Sequence, residues 1–262
     1  MDTWRPEALR GLILDMDGVL WRANEPIGDL VNSFNTIAER GLKVVLATNN
    51  SMLSAGQYLT KLAGFGVRLE PHQIITSSQT AAYFLKRLHL NNGRVFPVGE
   101  RGLEEALREQ GFIVAETDVS AVVVGLDRNI NYQKLSQAAD LVRSGVHFVA
   151  TNADGTYPVP GGLIPGAGAI VAAIQAASGR APYIVGKPAP EMYQVAMERM
   201  DVSPEETLVV GDRLETDIAG AQKIGCRSAL VLSGVTTRQM AFSWQPPPDL
   251  IAEDLTALLE QI

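Results

Sequence analysis

This sequence predicts an α/β protein with a doubly wound parallel sheet. Short apolar runs alternate with segments of helical spacing, as they do in successive βα units. Leu12, Ile13 and Leu14 form an apolar run without alternation, which suits a strand buried on both faces. Several such runs end in a polar residue of a specific kind, where an open parallel sheet presents the carboxyl ends of its strands to a ligand.

Taken in order, the apolar runs place strands at 12–15, 43–48, 94–98, 121–125, 147–151, 183–186, 207–211 and 228–232. Between the first two, Leu30, Val31, Phe34, Ile37 and Ala38 recur at helical spacing, and Gly41 closes that helix. A second helix follows Ser54, and a third runs through 81–88. Pro190 opens another, which carries Tyr193, Val195 and Met197. Asn91-Asn92-Gly93 is a turn signal, and from there to about Gly179-Arg180 the chain has β and α segments of its own. The expected organisation is therefore a core made of 1–88 and 181–262, with 89–180 as an inserted α/β domain. The alternative is one continuous sheet of seven or eight strands. Pro246-Pro247-Pro248 ends regular structure before a final amphipathic helix at 254–262. The sequence shows no internal repeat, low-complexity tract or coiled-coil heptad.

At 262 residues the chain can bury a sizeable core. Hydrophobic content of 46% with 19% charged residues fits an ordinary globule. A net charge of −7 argues against nucleic-acid binding, because no basic stripe is there to neutralise phosphates. The same charge means that an anionic substrate must be held by local features. A lone Cys226 excludes an internal disulfide framework and suits a reducing cytoplasm. The opening Met1-Asp2-Thr3-Trp4-Arg5-Pro6-Glu7 has no apolar signal core, and no apolar run reaches the ~18 residues of a membrane span. A cytoplasmic protein without membrane contact is expected.

The most informative stretch is Asp15-Met16-Asp17-Gly18, where two acids follow a buried strand and Gly18 permits the turn. Such carboxylates repel and lose hydration, so the fold must compensate them, most simply with a divalent cation. Other strands end comparably: Lys43–Thr48 leads into Asn49-Asn50-Ser51, the 183–186 run into Lys187-Pro188, and Thr207–Gly211 into Asp212, with Asp217 five residues on. If these strands share one sheet, Asp15, Asp17, Thr48, Asn49, Lys187 and Asp212 converge on one crevice. Asp15 and Asp212 offer the hard oxygens that suit Mg²⁺. Thr48 and neighbouring amides can donate to phosphoryl oxygens, and Lys187 supplies a compact positive charge. One carboxylate could attack phosphorus while another protonates the leaving oxygen.

These residues resemble the motifs of the haloacid dehalogenase superfamily of phosphatases. The group is that of the nucleotide, 4-nitrophenyl phosphate, phosphoglycolate and pyridoxal phosphate phosphatases, whose cap is of type IIA. Asp15-Met16-Asp17-Gly18-Val19 is similar to the first motif and Thr48-Asn49-Asn50-Ser51 to the second. Gly186-Lys187-Pro188 is similar to the third and Gly211-Asp212-Arg213-Leu214-Glu215-Thr216-Asp217 to the fourth. Thr76-Ser77-Ser78 and Pro165-Gly166-Ala167-Gly168 look like connecting segments of the group, so the likeness spans nearly the whole chain.

The resemblance implies a Rossmann-like core with an inserted cap, and a Mg²⁺-dependent phosphatase of small phosphomonoesters working through an aspartyl-phosphate. Asp15 would be the nucleophile and Asp17 the general acid/base. Mg²⁺ would be held by Asp15, the backbone carbonyl of Asp17, and Asp212, with Asp217 behind them. Thr48, Asn49, Asn50 and Lys187 would cradle the phosphoryl group. Tyr157, in the turn-rich segment 151–158, would be the cap side chain that touches substrate. Related caps also mediate dimers, so a homodimer through the cap is an expectation. The alternatives are a phosphomutase, or a phosphorylation-dependent binding or signalling protein on the same scaffold.

Overall fold

The structure, a computed structural model, describes residues 8–90, 93–159 and 161–262. The expected turn residues Asn91 and Asn92 and the opening segment Met1 to Glu7 lie outside them. The chain divides into two compact units. One takes the described residues of Met1–Thr48, Gly56–Ile75 and Met192–Ile262; the other takes those of Asn49–Ala55 and Thr76–Glu191.

A six-stranded sheet organises the first unit, in the order Leu250–Ala252, Arg227–Val231, Thr207–Gly211, Gly11–Leu14, Lys43–Thr48, Ile74–Thr76. Gly11–Leu14 pairs in parallel with both neighbours, Leu14 lying opposite Val210 on one side and Leu46 on the other. From this strand the chain winds outward twice, first through Lys43–Thr48 and later through Thr207–Gly211 and Arg227–Val231 in the opposite direction. Right-handed crossovers then place the connecting helices on opposite faces, which is the doubly wound arrangement expected. Leu12, Ile13, Leu14, Leu208, Val209 and Val210 are all essentially inaccessible, as strands covered on both faces require. Asp29 caps the helix Leu30–Glu39 by accepting from the Asn32 amide. That helix packs against Leu255–Leu259, where the expected closing helix forms in a shorter span.

The second unit has its own five-stranded parallel sheet, in the order Tyr183–Ile184, His147–Ala150, Ala121–Val124, Arg94–Val98, Ile113–Val114. Strand alternation sends Val122, Val124 and Phe148 to one face, packed on Ile170, Val171 and Ile174 of the helix Ala167–Ser178. Ala121, Val123 and Val149 go to the other face, packed on Ala81, Leu85, Leu103 and Leu107.

Two expectations change here. The helix Ser77–Arg87 belongs to this second unit, because its apolar Ala81, Ala82 and Leu85 cover the second sheet. The strand at Tyr183–Ile184 pairs with His147–Ala150, Tyr183 opposite Val149, and so does not join the sheet that carries Asp15 and Asp212. The compact units divide after Thr48, Ala55, Ile75 and Glu191. Among the described residues, no helix is long and apolar enough to cross a membrane.

Candidate active site

Asp15 follows the central strand and Asp212 follows its neighbour Thr207–Gly211. The two therefore stand at the point where strand order reverses, which is where ligands bind in open parallel sheets. The Asp15 amide donates to the Val210 carbonyl at 2.9 Å and ties the two strand ends together. Thr48, 3% exposed, ends the next strand on the other side.

Asp15, Asp212 and Asp217 each present a carboxylate oxygen within 4.8 Å of the others. Asp15 is half-buried, whereas Asp212 and Asp217 are 2% and 1% exposed. Asp217 reaches the cluster from a π-helical turn, Leu214–Ile218, a wide turn that redirects side chains and recurs at functional sites. Backbone amides fix the carboxylate orientations, Val235 N–H to Asp212 Oδ2 at 2.8 Å and Arg213 N–H to Asp217 Oδ2 at 3.2 Å. Glycines let the backbone close in on Asp212. A Cβ on Gly234 would lie 1.9 Å from its Oδ2, and one on Gly18 would lie 2.6 Å from it. Gly18 also has φ +89, which other residues rarely adopt.

Three carboxylates this close repel by about 3 kcal/mol per pair at an effective dielectric of about 20, before their desolvation is counted. Hard oxygens in a tight, oriented, backbone-walled cluster fit a divalent cation such as Mg²⁺, which would cancel that repulsion. Burial first, and then the charges of Asp217 and Asp15, hold the nearby Tyr193 phenol well above its ordinary range. Its hydroxyl donates to the Thr216 carbonyl at 2.9 Å, behind the π-helical turn.

Asp17 takes a different position. Its carboxylate is exposed, and Oδ1 accepts the indole N–H of Trp21 at 2.8 Å. Lys61 lies over that indole, 4.2 Å from the ring centroid, and donates to the Ala23 carbonyl at 2.7 Å. Partial burial lowers the Lys61 pKa, and the nearby charge of Asp17 works the other way.

Asn49, Asn50, Lys187 and Tyr157 belong to the second unit and form a network there. The Asn49 carboxamide accepts from the Lys187 amide at 2.8 Å and donates to the Lys187 carbonyl at 3.0 Å. The side chain expected to touch phosphate is thus a clamp on the backbone that carries Lys187, itself 5% exposed. Asn50 Oδ1 accepts from the Met52 amide at 2.9 Å, and its Nδ2 donates to the Tyr157 hydroxyl at 3.3 Å. Tyr157 sits half-buried on the hairpin strand Thr156–Val159. Asn152, in the same turn-rich segment as Tyr157, joins the network: its Nδ2 donates to the Asn49 carbonyl at 2.7 Å.

Residues 12–113 match the family described as haloacid dehalogenase-like hydrolase, and residues 184–258 match a HAD-hydrolase-like family. The ribonucleotide monophosphatase NagD of Escherichia coli K12 is 34% identical over 87% of this chain and 90% of its own. The chain belongs to the haloacid dehalogenase-like hydrolases. Within them it falls in the NagD-like group of phosphatases, and it is a hydrolase of that family. Its fold is superposable on that of a p-nitrophenyl phosphatase from Archaeoglobus fulgidus, with a TM-score of 0.92 and 33% identity over 97% of this chain and 99% of that one. A glycerol phosphate phosphatase from Mycobacterium tuberculosis, solved in complex with magnesium, gives a TM-score of 0.89 at 34% identity, covering 96% of this chain and 76% of that one. These likenesses identify the family's Rossmann-like core with a cap domain.

Proposed function

We propose that this chain is a Mg²⁺-dependent phosphatase that hydrolyses small phosphomonoesters through an aspartyl-phosphate on Asp15. The observation that carries the reading is the gathering of Asp15, Asp212 and Asp217 at the switch point of the sheet. Relatives named for ribonucleotide monophosphates, p-nitrophenyl phosphate and glycerol phosphate share only a small phosphomonoester as their reacting group. A relative solved with magnesium supports the choice of metal.

Asp15, Asp212 and the backbone carbonyl of Asp17 would hold the ion, with the Asp217 carboxylate close enough to share or orient it. When bound, Mg²⁺ neutralises phosphoryl oxygens and screens the carboxylates from one another. An Asp15 oxygen then attacks phosphorus as the ester P–O bond breaks, and Asp17 gives its proton to the departing oxygen. In the second half, Asp17 takes a proton from the water that attacks the aspartyl-phosphate. The bond from phosphorus to Asp15 breaks, phosphate leaves and the carboxylate is restored. Thr48, Asn50 and Lys187 hold the phosphoryl oxygens on this reading, for which the support is their place in the motifs. Asn49 sets the Lys187 backbone.

The test is a phosphate-release screen over a panel of metabolite monoesters with Mg²⁺, repeated in EDTA and with Asp15→Asn. Wild-type enzyme should turn over at least one alkyl monoester, EDTA should abolish this reversibly, and Asp15→Asn should fall to background. Turnover by Asp15→Asn near the wild-type rate, or undiminished turnover in EDTA, would contradict the proposal.

A further inference from the structure

Trp21 is fully buried, a costly place for an indole N–H unless it finds a partner. That partner is the carboxylate of Asp17, at 2.8 Å. The ring is held from several sides within the first unit. It stacks on Tyr58 with centroids 6.3 Å apart and 17° between planes, and meets Phe65 at 6.0 Å and 41°. Lys61 covers it at 4.2 Å. The backbone closes the same turn: the Gly18 amide donates to the Trp21 carbonyl at 2.8 Å, and Asp17 and Trp21 form an isolated bridge. A rigid buried donor is thus aimed at an exposed acid on a short loop.

We propose that Trp21 is a positioning residue for Asp17, fixing Oδ1 with its N–H so that the other carboxylate oxygen is presented to the leaving group. The inference rests on the phosphatase reading and adds to it a residue that never touches substrate. An acid on an exposed loop samples many directions, and general acid catalysis loses efficiency when the proton is not in line with the departing oxygen. Trp21 removes that freedom from below, using a ring whose own orientation is locked by packing.

The experiment compares wild type with Trp21→Phe, which keeps an aromatic ring among Tyr58, Phe65 and Lys61 but deletes the donor. Two substrates are used: 4-nitrophenyl phosphate, whose leaving group needs no proton, and the alkyl monoester that wild type hydrolyses fastest. Trp21→Phe should lower kcat/KM for the alkyl ester about tenfold and change kcat/KM for 4-nitrophenyl phosphate by no more than about twofold, because kcat/KM reports the transfer to Asp15, in which only the alkyl leaving group needs the acid; kcat also includes hydrolysis of the aspartyl-phosphate and falls for both substrates where that step limits. In an Asp17→Asn background the same substitution should cost nothing further on the alkyl ester, because the oriented acid is already gone. Replacing the Trp21 indole site-specifically by benzothiophene deletes only the N–H and keeps the shape, so it decides the matter if Trp21→Phe does not fold. Equal losses of kcat/KM on both substrates, or additive losses of kcat/KM with Asp17→Asn, would overturn the positioning role and leave the phosphatase reading standing. A wild-type enzyme that releases phosphate from no ester would overturn both.

Discussion

Gly234→Ala puts the carboxylate cluster under direct steric test. A Cβ at this position would stand 1.9 Å from Asp212 Oδ2, 2.3 Å from its Cγ and 2.4 Å from its Cβ. Ordinary contact begins near 3.4 Å, so Asp212 must retreat by about 1.5 Å. Metal-ligand distances tolerate only about 0.2 Å, so such a shift removes Asp212 from any ion shared with Asp15. The Mg²⁺ concentration for half-maximal phosphatase activity should rise at least about tenfold. Overpacking should also cost about 1–3 kcal/mol of stability, seen as a lowered Tm. Gly41→Ala separates the two effects. Its Cβ would meet nothing within 4 Å, but φ is +67. The left-handed backbone then costs about 1–2 kcal/mol, with no effect on the site. Mg²⁺ titrations and thermal melts of both variants make the comparison. A Gly234→Ala enzyme with wild-type Mg²⁺ dependence would mean that Asp212 is not a ligand held in place by this contact.

Two further outcomes are expected. Asn49→Ala leaves the Lys187 amide and carbonyl without their side-chain partners, and each lost bond to a buried backbone group costs about 1–3 kcal/mol. Both kcat/KM and Tm should fall, and Asn49→Asp, which keeps only the acceptor, should recover part of the loss; an unchanged Asn49→Ala enzyme would remove the clamp from the account. Burial first, and then the charge of Glu205, push the Cys226 thiol up to about 12 from 9.0. A raised value in the fold means that this contribution to stability is whole below pH 9 and is lost as pH climbs through about 12. The urea midpoint should therefore decline less between pH 8 and pH 10.5 in Cys226→Ala than in wild type, and parallel declines would contradict it.

What the sequence disclosed and what it withheld divide along physical lines. Runs such as Leu12-Ile13-Leu14 and Leu208-Val209-Val210 are long and apolar enough to declare themselves, and each appears as a strand. Ile74–Thr76 and Leu250–Ala252 are three-residue edge strands, too short for a periodic signal. Sheet membership is a matter of pairing between distant segments, so nothing local tells Tyr183 that it will lie opposite Val149. At the site, Asp15 and Asp212 are legible because each ends an apolar run. Asp217 is legible only as a nearby acid, since its aim depends on a π-helical turn. The clamp made by Asn49 and the donor supplied by Trp21 are tertiary facts. A large aromatic four residues after Asp17 is a signal that could have raised the second, because a buried indole N–H seeks a partner.

The proposed mechanism transfers the phosphoryl group to Asp15 before it reaches water. Asp17→Asn enzyme mixed with 4-nitrophenyl phosphate and Mg²⁺ should release a burst of nitrophenolate stoichiometric with enzyme. Acid quenching followed by peptide mass spectrometry should then find the phosphoryl adduct on the peptide that contains Asp15. Continued turnover with no burst and no adduct, or an adduct on another residue, would contradict the account.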